Sequence, residues 1–163
     1  MIELKNVYKT YETGKTTVEA LKGVNFKFKK SDFILIRGPS GSGKSTLLNI
    51  VGLLDNPTSG EVFLNGREVS YEDFDALATL RSKTISFIFQ SFNLNPVLTV
   101  EENVMVPLMI RNDITREAKR FRVEDWIKKT GLYDHRHHRP DELSGGQRQR
   151  VAIARAMVTE PEL

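Results

Sequence analysis

The clearest chemistry in this chain lies in nine consecutive residues, Gly38-Pro39-Ser40-Gly41-Ser42-Gly43-Lys44-Ser45-Thr46. They match the phosphate-binding pattern G-x-x-x-x-G-K-[ST]. The glycines let the backbone turn tightly and aim several N–H groups at one point, a geometry suited to an anion. Lys44 adds a positive charge for the outer phosphates of a nucleoside triphosphate, and Ser45 offers a hydroxyl to Mg²⁺. Such a loop works only where rigid elements hold it. Phe33-Ile34-Leu35-Ile36 is a short apolar run that predicts a buried parallel strand before it. Leu47-Leu48-Asn49-Ile50-Val51 predicts a helix after it, whose free N-terminal amides and dipole favour negative charge.

The remaining elements come in order. Ile2 and Leu4 alternate with Glu3 and Lys5 ahead of Val7-Tyr8, which predicts a strand over 2–8, followed by a polar turn that contains Tyr11 and Gly14. Val24 to Phe28 alternates again and reads as a half-exposed strand. Asp55 to Gly60 breaks the first helix, and Glu61 to Leu64 is a strand closed by the hairpin signal Asn65-Gly66. Phe74, Leu77 and Leu80 stand at helical spacing, and Ile85 to Phe89 predicts a buried strand ending at Gln90. Thr99 to Glu102 has the form of a capping box, with Pro107 placed to kink or end its helix. A longer helix starts at Thr115 and stops at Gly131, with Phe121, Trp126 and Ile127 as its core residues. A polar loop, Asp134 to Pro140, precedes Ser144-Gly145-Gly146 and a packed helix through Val158. These elements describe an α/β core carrying a mostly helical insertion.

Composition bounds the alternatives. The chain has 163 residues, a net charge of +3 and no cysteine, so disulfides and thiolate metal sites are excluded. No dense run of Lys and Arg interleaves with aromatics, which argues against a nucleic-acid surface. Arg148, Arg150 and Arg155 read as an exposed, ion-paired helix face. His135, His137 and His138 sit together between arginines and read as a solvated loop rather than a metal site. No apolar run is long enough to span a membrane, and Met1-Ile2-Glu3-Leu4-Lys5 lacks the apolar core of a secretion signal.

A second motif makes the pattern specific. Leu143-Ser144-Gly145-Gly146-Gln147, taken with the phosphate loop, resembles the signature of the ATP-binding cassette (ABC) family. The stretches GPSGSGKSTLLNIVGLLDNPTSGEV, FIFQSFNLNPVLTVEENV and DELSGGQRQRVAIARAM are most similar to its lipoprotein-release and macrolide-export branch. The resemblance implies a P-loop NTPase fold of the ABC type: a mostly parallel sheet, an N-terminal antiparallel β subdomain and a helical subdomain. It implies a nucleotide-binding core over 1–91, a helical subdomain over 92–146 and a signature helix returning to the core over 147–163. It further implies ATP and Mg²⁺ as ligands, with Gly38 to Thr46 as the phosphate loop (Walker A) and Lys44 and Gln90 as catalytic groups. Ser45 and Gln90 would attend the metal. Tyr11 would stack on adenine. Ser144, Gly145, Gly146 and Gln147 would reach ATP held by a second ABC subunit, the same or different, in a head-to-tail pair. Transmembrane permease subunits would be the partners and would dock near Phe92 to Val104. The protein would then lie in the cytoplasm against the inner face of the membrane and bind no nucleic acid.

The sequence departs from the family pattern at Pro161-Glu162-Leu163. The family's second acidic motif (Walker B), with the Asp that orders Mg²⁺ and the Glu that polarises water, would begin beyond it, so this chain by itself is expected to fold poorly and not to turn over ATP. A truncated module that binds nucleotide without hydrolysis is the competing reading. A chromosome-maintenance ATPase is disfavoured because residues 46 to 143 hold no sustained heptads, and a GTPase because no N-K-x-D motif occurs.

Overall fold

The computed structural model describes residues 2–14 and 16–163. The chain divides into two compact units, Met1–Leu77 and Ala78–Leu163.

The first unit is built on an antiparallel sheet. Strand β1 (Ile2–Thr13) pairs with β2 (Thr16–Phe28) on one edge and β3 (Ser59–Leu64) on the other, and β3 pairs with the two-residue β4 (Arg67–Glu68). Alternation dictates which side is covered. Ile2, Leu4, Val7, Leu21, Phe28, Val62 and Leu64 are buried, while Lys5, Lys27 and Glu61 stay exposed. The β3–β4 turn is Asn65-Gly66, both at positive φ, as its hairpin signal predicts. Helix α1 (Lys44–Val51) contributes Ile50 and Val51 to the buried set and ends at Gly52. Its last turn also orders the next few residues, because the Asn49 carbonyl accepts from the amides of both Leu54 and Asp55.

Helix α2 (Phe74–Thr84) begins at the predicted place, but Phe74 faces solvent and Leu77 is its buried apolar residue. In the second unit, α3 (Val100–Met105), α4 (Arg116–Lys129) and α5 (Gly145–Met157) surround one apolar cluster. Val100, Val104, Val123, Ile127, Leu132, Leu143, Val151 and Val158 are buried there, with Trp126 packed against them. Local chemistry sets the helix starts. Thr99 and Glu102 form a reciprocal capping box, Thr115 caps α4, and Ser144 with Gln147 forms a second capping box on α5. Pro107 stands in a 3-10 turn, Val106–Leu108, that ends α3. Arg111 ties this unit together by a bidentate bond to Asp113 at 2.8 Å and a bond to the Ser82 carbonyl.

Four expectations change. Phe33 to Ile36 forms no strand, and Phe33, Ile34 and Leu35 are exposed, Phe33 at 94%. An apolar run becomes a parallel strand only where neighbours bond to its edges, and no backbone bond reaches 33–37 among the described residues. Ile85 to Phe89 also lacks a ladder, with one exception at its start. Thr84 O accepts from Leu163 N at 3.0 Å and Leu163 O from Ser86 N at 2.9 Å, the pair of bonds that makes a parallel rung about Ile85. Phe121 is 73% exposed, because α4 turns Val123 and Ile127 inward and Phe121 lies off that stripe. Tyr11 lies inside β1, not in a turn, because the strand pairing continues to Thr13.

Candidate functional site

The site grows from how α1 begins. Its N-cap is Gly43, at φ 84° in the left-handed region, with no side-chain cap and no acidic residue in the first turn. A helix leaves its first amides without internal partners, and among the described residues no side chain caps them. Glycine is required at that position, since a Cβ on Gly43 would sit 2.4 Å from the Ala20 carbonyl oxygen. Lys44 folds over the loop and donates to the carbonyls of Gly38 at 2.9 Å and Pro39 at 2.5 Å. It has no carboxylate partner among the described residues, so its charge remains available to an anion.

A cavity of about 630 Å³ opens in front of this helix start. Ser40, Gly41, Gly43, Lys44, Ser45 and Thr46 line it, together with Tyr11 and β2 residues Val18 to Ala20. The structure therefore brings Tyr11 to the phosphate loop across more than thirty residues of sequence. The volume falls within the range of small-molecule sites. The Ser45 hydroxyl has no protein partner among the described residues, and an oxygen at the second helical position suits a hard cation that accompanies phosphate.

In the second unit Gln90 is exposed and leads a tight turn in which Phe92 and Asn93 both have positive φ, 62° and 48°. This conformation is unfavourable for a bulky residue such as Phe. Arg155 of α5 holds it, donating to the Phe92 and Asn93 carbonyls at 2.6 Å each. Arg155 is thus a half-buried clamp, not a member of an exposed ion-paired face, and its burial lowers its pKa from the usual arginine value. Spacing within α5 puts Arg155 near the buried face, but the partner carbonyls lie too far away in sequence for any local signal to reveal them. Beside this clamp lies a shallow apolar cavity of about 310 Å³. Ile85, Phe87, Phe89, Val106, Pro107 and Ile110 contribute to its wall, and Val106 and Ile110 are exposed there.

The start of α5 is built differently from that of α1. Ser144 Oγ accepts from Gln147 N, and Gln147 Oε1 accepts from Ser144 N at 2.7 Å. With its oxygen engaged, Gln147 presents its NH₂ to His135 Nε2, 3.0 Å away. His135 Nε2 must then be the bare nitrogen, and its Nδ1–H points at His138 Nδ1, 3.1 Å away. The histidine segment is therefore a folded brace: His135 and His138 are half-buried and only His137 is exposed. The expectation of a solvated loop fails because two short 3-10 turns, Tyr133–His135 and Pro140–Glu142, wind the segment back against α3 and α5. Among the described residues no group of three or more His, Cys, Asp or Glu is placed to hold a metal ion. Nor is any helix among them long and apolar enough to cross a membrane.

Comparison with known proteins bears on the family of the chain. The sequence model of the family described as ABC transporter matches residues 21–163. An uncharacterized ABC transporter ATP-binding protein of Thermotoga maritima is 49% identical over 99% of this chain and 68% of its own length. The lipoprotein-releasing system ATP-binding protein LolD of Hahella chejuensis is 44% identical over 99% of this chain and 69% of its own. Among solved structures, the ATP-binding cassette MJ0796 of Methanocaldococcus jannaschii is a dimer in a post-hydrolysis state bound to ADP and phosphate. It superposes with a TM-score of 0.89 at 48% identity, covering 99% of this chain and 71% of that one. A match this long, carried through the glycine-rich start of α1 and the capped start of α5 alike, places the chain in the ABC transporter family.

Proposed function

We propose that this protein binds ATP with Mg²⁺ in the cavity before α1 and that, in the complete domain and paired with a second ABC subunit, hydrolysis of that ATP drives transport through membrane permease subunits. The observation that carries the reading is the convergence, on one cavity, of an uncapped helix start, a Lys44 without a carboxylate partner and the Tyr11 ring. The helix amides and Lys44 supply charge complementarity to the phosphates. Tyr11 supplies a flat surface for the base, and base–aromatic stacking contributes about 1–3 kcal/mol. Ser45 would attend the metal, and Gln90 would respond to metal or attacking water. Ser144, Gly145, Gly146 and Gln147 would be offered to nucleotide held by the other subunit. The dimeric state of MJ0796 supports that pairing by relation.

The apolar cavity beside Arg155, with Val106 and Ile110 exposed, suits a short apolar segment of the permease, a few residues beyond the expected stretch Phe92 to Val104. Such a partner would hold the protein at the inner face of the membrane. The test is a calorimetric titration of MgATP into the full chain and into Lys44→Ala. Binding that disappears with Lys44 supports the proposal; equal affinity in the two sinks it. Replacement of Ile110 by Glu should leave that titration unchanged and release the protein from its permease in a pull-down.

A further inference from the structure

Tyr11 is held by a part-buried charged pair that the phosphate-loop and signature motifs do not contain. Its hydroxyl donates to Asp55 Oδ2 at 2.7 Å. The other carboxylate oxygen, Oδ1, accepts from Lys9 Nζ at 2.6 Å, and Lys9 also donates to the Asn56 carbonyl at 2.7 Å. Lys9 is buried, and its ammonium stands over the Tyr11 ring, 5.0 Å from the centroid. One face of the ring is thus occupied by a cation, so a base would use the other.

Asp55 is fixed in turn by the end of α1, through its amide on the Asn49 carbonyl. Asn49, in the helix that begins at the phosphate loop, therefore holds the residue that anchors the aromatic ring. Partial burial works against the Asp55 carboxylate, but the hydrogen bonds from Lys9 and Tyr11 outweigh it and lower its pKa from the ordinary aspartate value. Burial, with the Asp55 charge adding to it, pushes the nearby Tyr71 hydroxyl up to about 12. Asp55 is therefore an anion at neutral pH, and a charged acceptor gives the shorter, stronger hydrogen bond.

We infer that Asp55, braced by Lys9, is a positioning residue for nucleotide recognition: it sets the Tyr11 ring at the distance from the phosphate loop that admits a purine base. This rests on the reading of Tyr11 as the base platform. The hydroxyl end of a tyrosine left free in a cavity this open would let the ring rotate, and each immobilised side chain costs free energy on binding. Anchoring the ring before the ligand arrives removes that cost for ligands that use the ring and does nothing for those that do not.

That distinction gives the test. Dissociation constants for MgATP and for magnesium tripolyphosphate, which has the phosphates and no base, are measured on the full chain and on Tyr11→Ala, Tyr11→Phe, Asp55→Asn and the Tyr11→Phe/Asp55→Asn pair. Tyr11→Phe keeps the ring and the Lys9–Asp55 pair and removes only the anchor. It is expected to weaken ATP about five- to tenfold, the net size of one hydrogen bond, and to leave tripolyphosphate unchanged. Asp55→Asn should do the same, and the double variant should be no worse than either single one. If Tyr11→Ala loses ATP selectively while Tyr11→Phe binds both ligands as the parent does, the platform stands and the positioning role of Asp55 is overturned. If Tyr11→Ala itself leaves the ratio of the two affinities unchanged, the platform reading fails and this inference with it. Should Asp55→Asn weaken both ligands equally through loss of folding, Tyr11→Phe still decides the matter.

Discussion

Helices α1 and α5 both begin at glycine-rich turns that the sequence assigns to phosphate, yet they treat their first amides in opposite ways. The start of α1 has a left-handed glycine as its N-cap, no side-chain acceptor, no acid in the first turn and a lysine without a carboxylate partner. The start of α5 is closed by Ser144 and Gln147, and Gln147 is braced in turn by His135 and His138. The glycines differ as well. Gly43 cannot carry a side chain, whereas a Cβ on Gly145 meets nothing within 4 Å and neither Gly145 nor Gly146 has positive φ. The comparison teaches that a helix start can be prepared for a ligand within its own chain or completed without one. The first kind depends on its glycine for its shape. The second tolerates substitution in isolation, so its small residues matter only when something approaches from outside.

The sharpest break in that comparison is expected from the two polar residues. Lys44→Ala should abolish MgATP binding in calorimetry. Ser144→Ala should leave the affinity of a single chain within about twofold, because the bonds of Ser144 are spent on Gln147. A comparable loss in both would erase the distinction. Next come the glycines. Gly43→Ala should destabilise the fold by about 1–3 kcal/mol in urea denaturation, from the strained φ and the clash with Ala20. Gly145→Ala should be neutral or stabilising by up to about 1 kcal/mol, as alanine is the better helix former. Equal destabilisation by the two would show that both glycines serve the fold. In the same denaturation series Ser144→Ala should cost about 1 kcal/mol through loss of its cap.

The smallest effect separates two capping boxes. Hydrogen bonds from the Thr99 amide and hydroxyl hold the Glu102 carboxylate below its ordinary value of 4.5. A depressed carboxylate contributes stability above its unfolded value and loses it as pH falls through the lower folded value. Hydrogen exchange at the Thr99 amide should therefore accelerate below about pH 4. The Ser144 amide should keep its protection over that interval, because Gln147 does not titrate there. Matched acid sensitivity at the two amides would mean that the helices fray together.

The amino-acid sequence by itself determined the local chemistry. The phosphate loop with its following helix, the Asn65-Gly66 hairpin, the capping box at Thr99, the N-cap at Thr115 and the stop at Gly131 all stand where residue types demand them. Each is a hydrogen-bonding or φ preference satisfied within about four residues, so adjacent sequence encodes it. Only the tertiary structure decided the rest. It carried β1 on to Tyr11 and seated that ring on Asp55, 44 residues away. It set Arg155 on carbonyls 62 and 63 residues distant, folded His135 onto Gln147, and left Phe33 and Phe121 in solvent. Hydrophobic pattern tells which residues can be buried; which ones are buried depends on the strand or helix that arrives to cover them, and that partner is remote in sequence.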